Sequence, residues 1–347
     1  MKKRTIAVVI LSLLMLFTGC QPKDATATRV GSNILLDQGC DSNLFYSDEK
    51  LFLMSIEEER RTISVGPATS SKALFLYDIE KDSIERIVGL SGSCQVPSAL
   101  PYKDGFVYVS YIETDIGYEW QIVEVADDSK KILLKGNISD YFAFPKLAYT
   151  DDKVVALWKD DVKKISALSV FDEDGGFRNI IEEKADWLIS TDISNNSREI
   201  CFYIVEDSVA KLAIANETGI TEKVSLDGKM ISFCITRNNV VCVLSDYEDK
   251  GIYHLMNYNT NTGEYVSKPL SDVLYSLSGS DSDLIMAYDV SFRLYCIHAK
   301  DNIIEPVRNP LGTAFSPANY DRVIGDKIVI HFRGDKVDSC YLFNLNP

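Results

Sequence analysis

Seven times this chain writes a short polar turn and then a run of apolar, β-branched or aromatic residues. The clearest copy is Asp104-Gly105-Phe106-Val107-Tyr108-Val109-Ser110-Tyr111. Asp48-Glu49-Lys50 likewise leads into Leu51-Phe52-Leu53-Met54, Asp151-Asp152-Lys153 into Val154–Trp158, and Asn196-Ser197-Arg198 precedes Ile200–Ile204. Arg237-Asn238-Asn239 precedes Val240–Leu244, Asp281-Ser282-Asp283 precedes Leu284–Tyr288, and Gly325-Asp326-Lys327 precedes Ile328–Phe332. The runs start 55, 48, 46, 40, 44 and 44 residues apart. Short runs rich in Val, Ile, Tyr and Phe, each behind a turn, predict strands rather than helices. They are continuously apolar instead of alternating, as strands are when neighbours cover both of their faces.

A second repeat follows each of the first six copies. Leu74–Asp78 turns through Glu80–Ser83 and returns as Ile84–Val88, and Ile122–Val125 turns at Asp127-Asp128-Ser129 and returns through Ile132–Leu134. Similar runs turn at Asp174-Gly175-Gly176, Asn216–Gly219, Asn259–Gly263 and Lys300–Asn302. These are hairpins built on Gly, Asn and Asp turn chemistry. Four strands in a unit of about 45 residues is the period of propeller blades. The expectation is an all-β chain folded as a seven-bladed β-propeller, with six or eight blades as alternatives. After the last third strand, Cys340–Leu345, only Asn346 and Pro347 follow, too few for a fourth. The unattached strand Asn33-Ile34-Leu35-Leu36 is expected to fill that place and close the ring, as propellers do to limit exposed edges.

Ahead of the repeats stand Lys2-Lys3-Arg4 and twelve apolar residues, Ile6 to Phe17. That is short of the about 20 residues needed to span a bilayer, and it suits a secretory signal. The stretch ends in Leu16-Phe17-Thr18-Gly19-Cys20, which resembles the bacterial lipobox. The resemblance implies cleavage before Cys20 and acylation of that cysteine, holding the chain to a membrane through lipid. The expected divisions are 1–19 signal peptide, 20–32 lipidated cysteine and flexible tether, and 33–347 propeller. Loss of Lys2, Lys3 and Arg4 moves the formal net charge from −15 to −18. Such an acidic surface excludes nucleic acid as a partner and disfavours lying on anionic lipid.

Taken over residues 33–347, the chain resembles bacterial lipoproteins that carry a WD-repeat-like or TolB-like propeller outside the cell membrane. That resemblance implies a lipid-anchored extracytoplasmic protein acting as a binding or assembly scaffold for protein or glycan. An enzyme acting on carbohydrate or cell wall, with acids around the propeller channel, is the alternative. A sensor of a small ligand in the envelope is a second alternative.

Candidate sites are few. His254, His298 and His331 fall on three different units with no metal-ligand spacing, so no metal or cofactor is expected. Asp172-Glu173-Asp174-Gly175-Gly176 has Glu183 in the twelfth position of a calcium loop but Phe177 where the sharp-turn glycine belongs, and reads as a hairpin turn. Arg333-Gly334-Asp335 reads as a turn. Cys201, Cys234, Cys242, Cys296 and Cys340 sit in strand runs as small hydrophobes. Cys40 and Cys94 each stand six residues after matched apolar positions, Ile34 and Val88, and a disulfide between them is an open possibility for an exported chain. The longest inter-strand segments are expected to be loops at Ile56–Lys72, with Arg60 and Arg61, and at Ile112–Glu119, flanked by Tyr111, Tyr118 and Trp120. Loops on a rigid scaffold are where binding concentrates, and aromatic side chains there can anchor a partner.

Overall fold

The computed structural model describes residues 23–24, 26–30, 45–47, 50–60, 69–78 and 81–344, apart from loop positions 82, 91–94, 127–128, 141–142, 151–152, 173, 226–227, 248–251, 271–273, 279–283, 290–292, 301, 309–316, 325–326 and 333–338. It is nearly all strand, with a helical turn at Ala185–Trp187. The strands form seven sheets: five are four-stranded antiparallel meanders, the sixth is such a meander with one added parallel strand, and the seventh is antiparallel with its outer strand drawn from the N-terminal part of the chain. The second sheet is typical: Gln95–Tyr102, Gly105–Thr114, Gly117–Ala126 and Ser129–Ile138 follow one another from its inner to its outer edge. The third runs Lys146–Thr150, Lys153–Asp160, Ile165–Phe171, Phe177–Lys184, and the fourth Leu188–Asn195, Ile200–Glu206, Val209–Asn216, Gly219–Ser225. All seven apolar runs read from the sequence are the second strands of these sheets.

First strands touch first strands around a closed cycle. Phe45–Ser47 meets Gln95–Tyr102, contact passes in order through Lys146–Thr150, Leu188–Asn195, Lys229–Ile235 and Leu274–Ser278, and Pro317–Ile324 returns to Phe45–Ser47. Alternate residues of one strand serve opposite interfaces. Val154, Ala156 and Trp158 pack toward the second sheet with Val107, Val109 and Trp120, whereas Val155 and Leu157 pack toward the fourth with Ile200 and Phe202. In the same way Val241 and Val243 join Cys201 and Leu212, while Val240, Cys242 and Leu244 face Ile285 and Ala287 of the sixth sheet. A run that looks uniformly apolar is thus two interleaved period-two patterns. Outer strands are less buried, and Tyr265–Pro269 is exposed along its whole length.

Hydroxyls stitch the inner strands together. Ser98 Oγ accepts from Leu147 N (3.1 Å), Ser194 Oγ from Ile235 N (3.0 Å) and Ser232 Oγ from Leu277 N (2.8 Å). In these three cases a backbone donor at a sheet boundary is satisfied by a hydroxyl of the preceding sheet.

The seventh sheet takes its outer strand from the N-terminal part of the chain, but from a different segment than expected. Thr26–Val30 pairs antiparallel with Ser339–Asn344, in the register Thr26↔Asn344 to Val30↔Cys340. This corrects the assignment of Asn33–Leu36, which lies outside the described residues, and the closing strand falls inside the stretch expected to be a flexible tether. The reason is that an outer strand is largely solvated, so Thr-Ala-Thr-Arg-Val suits it as well as an apolar run does. Just before it, Lys23–Asp24 pairs parallel with the outer strand Ile303–Arg308 of the sixth sheet.

Candidate binding face

Because the first three strands of every sheet run outward in chain order from the inner edge, turns between second and third strands gather at one end, together with the connections from outer to inner strands. Turns between first and second, and third and fourth, strands gather at the other end.

At the first end the second sheet differs from expectation. Ile112–Glu119 is no loop: the hairpin continues through Thr114↔Gly117, leaving only Asp115 and Ile116 at its tip. Thr114 Oγ1 donates to Gly117 O (3.0 Å), and Gly117 has φ +138, a region that favours glycine. The aromatic residues beside it face inward. Tyr111 is buried and stacks on Phe144 at 3.9 Å, and half-buried Tyr118 meets both rings edge-on at 5.7 and 5.3 Å. Trp120 is fully buried against Trp158 and donates Nε1–H to Lys159 O (3.0 Å). Gly136 makes room for it, since a Cβ there would stand 2.5 Å from Trp120 Cζ2. These three aromatics fasten the second sheet to the third, which withdraws them as ligand-stacking residues.

Ile56–Lys72 is also mostly hairpin, with Ile56 opposite Lys72 and Arg60 opposite Thr69. The paired arms continue through polar residues, Glu58 opposite Ser71 and Glu59 opposite Ser70. Arg60 closes its strand; Arg61, Cys20, Cys40, Cys94 and Arg333-Gly334-Asp335 lie outside the described residues.

What this end does present is aliphatic. Ile112, Ile116, Val162 and Val209 are 47, 83, 66 and 50% exposed, on the second-to-third-strand hairpins of three consecutive sheets. The signal is visible in the sequence, where Asp115-Ile116, Asp161-Val162 and Asp207-Ser208-Val209 each set an acid before a β-branched residue at the turn.

The middle turn is locked from both sides. Asp160, buried, accepts Val162 N (3.0 Å) and Lys163 N (3.1 Å) on Oδ1, with Lys163 Nζ 3.1 Å from Oδ2. Asp161 Oδ2 accepts the Ser139 amide (2.8 Å) and hydroxyl (2.6 Å), Lys159 Nζ lies 3.3 Å from Oδ1, and Asp161 N donates to Asn137 O (2.7 Å). Burial pushes the Asp161 carboxyl up, but the Ser139 hydrogen bonds and the Lys159 charge outweigh it and hold the carboxyl below its ordinary range. On the fourth sheet, Glu206 sits between Lys211 and Lys223, whose hydrogen bonds bring it down to about 2.

Other sequence candidates resolve as structure. Asp172 N donates to Gly176 O (3.0 Å), Gly175 N to Asp172 O (2.9 Å) and Gly176 N to Asp174 Oδ1 (2.9 Å), a closed hairpin turn. Glu183 pairs opposite Ser166 on the strand leading away from it. His254 Nδ1 lies 3.0 Å from Ser267 Oγ, and His298 Nε2 lies 3.6 Å from Glu305 Oε2. Among the described residues no three His, Cys, Asp or Glu side chains converge as metal ligands. Cys201, Cys234, Cys242 and Cys296 are buried thiols outside any disulfide, and burial drives the Cys201 and Cys242 thiols well up.

No family model matches the sequence, and no curated protein matches it in sequence. Solved structures do match in shape. The chain is similar to an oligogalacturonate lyase from Vibrio parahaemolyticus (TM-score 0.58, 12% identity, covering 94% of this chain and 99% of the lyase). It is similar to the β-propeller domain of the Trilobed protease from Pyrococcus furiosus (TM-score 0.58, 10% identity, 88% and 95% covered). YCF48 bound to D1 peptide gives a TM-score of 0.57 at 9% identity, with 95% of this chain and 100% of that one covered. At such identities the likeness shows the fold alone: the chain is a β-propeller.

Proposed function

We propose that the seven sheets are the blades of a seven-bladed propeller, held outside the cell membrane by lipid on Cys20 and serving as a binding scaffold for another protein. The observation that carries this is the aliphatic rim: Ile116, Val162 and Val209 stand exposed on locked turns of successive sheets. Rigid presentation lowers the entropy lost on binding. A neighbour of the same fold, YCF48, is bound to a peptide, which is consistent with such a use. The N-terminal pairing supports a short anchor: Cys20 stands close ahead of Lys23–Asp24 on the sixth sheet.

The test is cross-linking in intact cells followed by recovery of the protein from detergent-solubilised membranes. A specific protein retained by the wild type supports the scaffold; recovery of neither protein nor glycan counts against it. In parallel, Cys20→Ser should move the protein from the membrane fraction to the soluble fraction and abolish acyl labelling.

A second reading, an enzyme acting on acidic polysaccharide, is favoured by the likeness to the oligogalacturonate lyase. Appearance of unsaturated uronate ends when the protein is incubated with oligogalacturonate would decide for it.

A further inference from the structure

We infer that the turns carrying Ile116, Val162 and Val209 dock a basic segment with aliphatic side chains, supplied by a protein partner. The inference rests on the scaffold reading above and names what the scaffold binds.

The first ground is the choice of residue. Turn tips are ordinarily Gly, Asn, Asp or Pro, chosen for backbone reasons. Here β-branched side chains recur at the tips or shoulders of three successive hairpins and point to solvent, Ile116 being 83% exposed. The repetition falls on one end of the ring, so the three side chains share a surface.

Second, the turns are held for presentation. The Val162 turn is fixed by Asp160 within its own sheet and by Asp161 to the sheet before it. Asp207 and Ser208 both adopt positive φ, 51 and 64, where Asn-Gly would be cheaper. The glycine-free choice leaves a carboxylate at that tip.

Third, the charge left over is negative. Lys159 is paired with Asp161 and Lys163 with Asp160, whereas Glu206 is shared by Lys211 and Lys223 and leaves that group with one positive charge. The exposed Glu113, Asp115 and Asp207 flank the aliphatic side chains, with Lys164 the exposed cation on these turns left outside those pairs. A second copy of this acidic chain, or an anionic lipid surface, meets repulsion here. A segment bearing Lys or Arg between aliphatic residues meets complementary charge and apolar anchors together.

Short random peptides displayed on phage and selected on the intact protein provide the probe, and binding of the selected peptides is then measured by fluorescence anisotropy. The selected pool should be enriched in Lys or Arg together with Leu, Ile or Val. The I116S/V162S/V209S variant should bind these peptides more weakly by on the order of tenfold or more. Binding should also weaken as salt rises and in E113Q/D115N/D207N. A variant of exposed residues on outer strands, I132S/V266S, should bind as the wild type does, and circular dichroism should show all variants folded. If the peptides bind I116S/V162S/V209S undiminished, this face is wrong while the scaffold reading stands. A selected pool without basic residues overturns the partner class. If no peptide is enriched, both readings fall.

Discussion

At the scale of single residues, polar side chains at sheet boundaries decide how the turns are held, and Asp161 is the clearest. Its carboxylate is charged in the fold at a pH where an unfolded aspartate takes up its proton, because Ser139 and Lys159 favour the anion. Its folded pKa is lowered, so its contribution to stability is present above the ordinary aspartate range and is lost as pH falls through the folded value. Melting temperatures of wild type and Asp161→Asn, measured across a pH series, should therefore differ at neutral pH and converge in acid. A gap independent of pH would contradict that account. Thiols give a second residue-level expectation. Cys201, Cys234, Cys242 and Cys296 are buried with no disulfide, so they should resist a thiol reagent in the native protein and react once denaturant is added. Rapid native labelling at any of the four would show that these interfaces open. Trp120 illustrates what the sequence hides: beside a turn, an indole reads equally as an anchor for a partner or as packing. Gly136, sixteen residues on, makes the space that buries it, and nothing in the local pattern links the two positions.

At the scale of strands and hairpins, legibility follows burial. The second strands of the second to sixth sheets carry buried side chains shared with their neighbours, and apolar runs of that kind could be read in all seven units. Where strands leave the core they become polar, and Glu113, Thr114 and Glu119 therefore looked like loop although they extend a paired hairpin. The tip of that hairpin depends on Gly117. A Cβ there would lie 2.4 Å from Ile138 O, and φ is +138. Gly117→Ala should therefore lower stability by about 2 kcal/mol or more, read as a drop in denaturation midpoint at unchanged slope. Gly219 has a similar φ of +142 with open space around it. Gly219→Ala should cost less, through backbone strain without the clash, and equal losses at the two sites would refute the steric part of the explanation.

Across the whole molecule, the decisive contact joins residues more than three hundred positions apart in sequence. Without Thr26–Val30 the seventh sheet would end at Ser339–Asn344 and leave an unpaired edge. Closure of the ring was legible because the last unit counted one strand short. The identity of the closing strand was not, because an outer strand needs no apolar run and Thr26–Val30 has the composition of a linker. The register makes the point testable. Thr28 pairs with Leu342, and directly opposed residues on antiparallel strands fall within the range a disulfide can span. Thr28→Cys with Leu342→Cys should therefore form an intramolecular bridge under mild oxidation, identified by mass spectrometry of the linked peptides. Since that bridge closes nearly the entire chain into a loop, it should also raise the melting temperature, consistent with about 2 to 5 kcal/mol for long loops. Ile34→Cys with Leu342→Cys serves as the competing register. If it were this second pair that bridged efficiently and stabilised the fold, the ring would be fastened by the later segment, and Thr26–Val30 would return to being part of a tether.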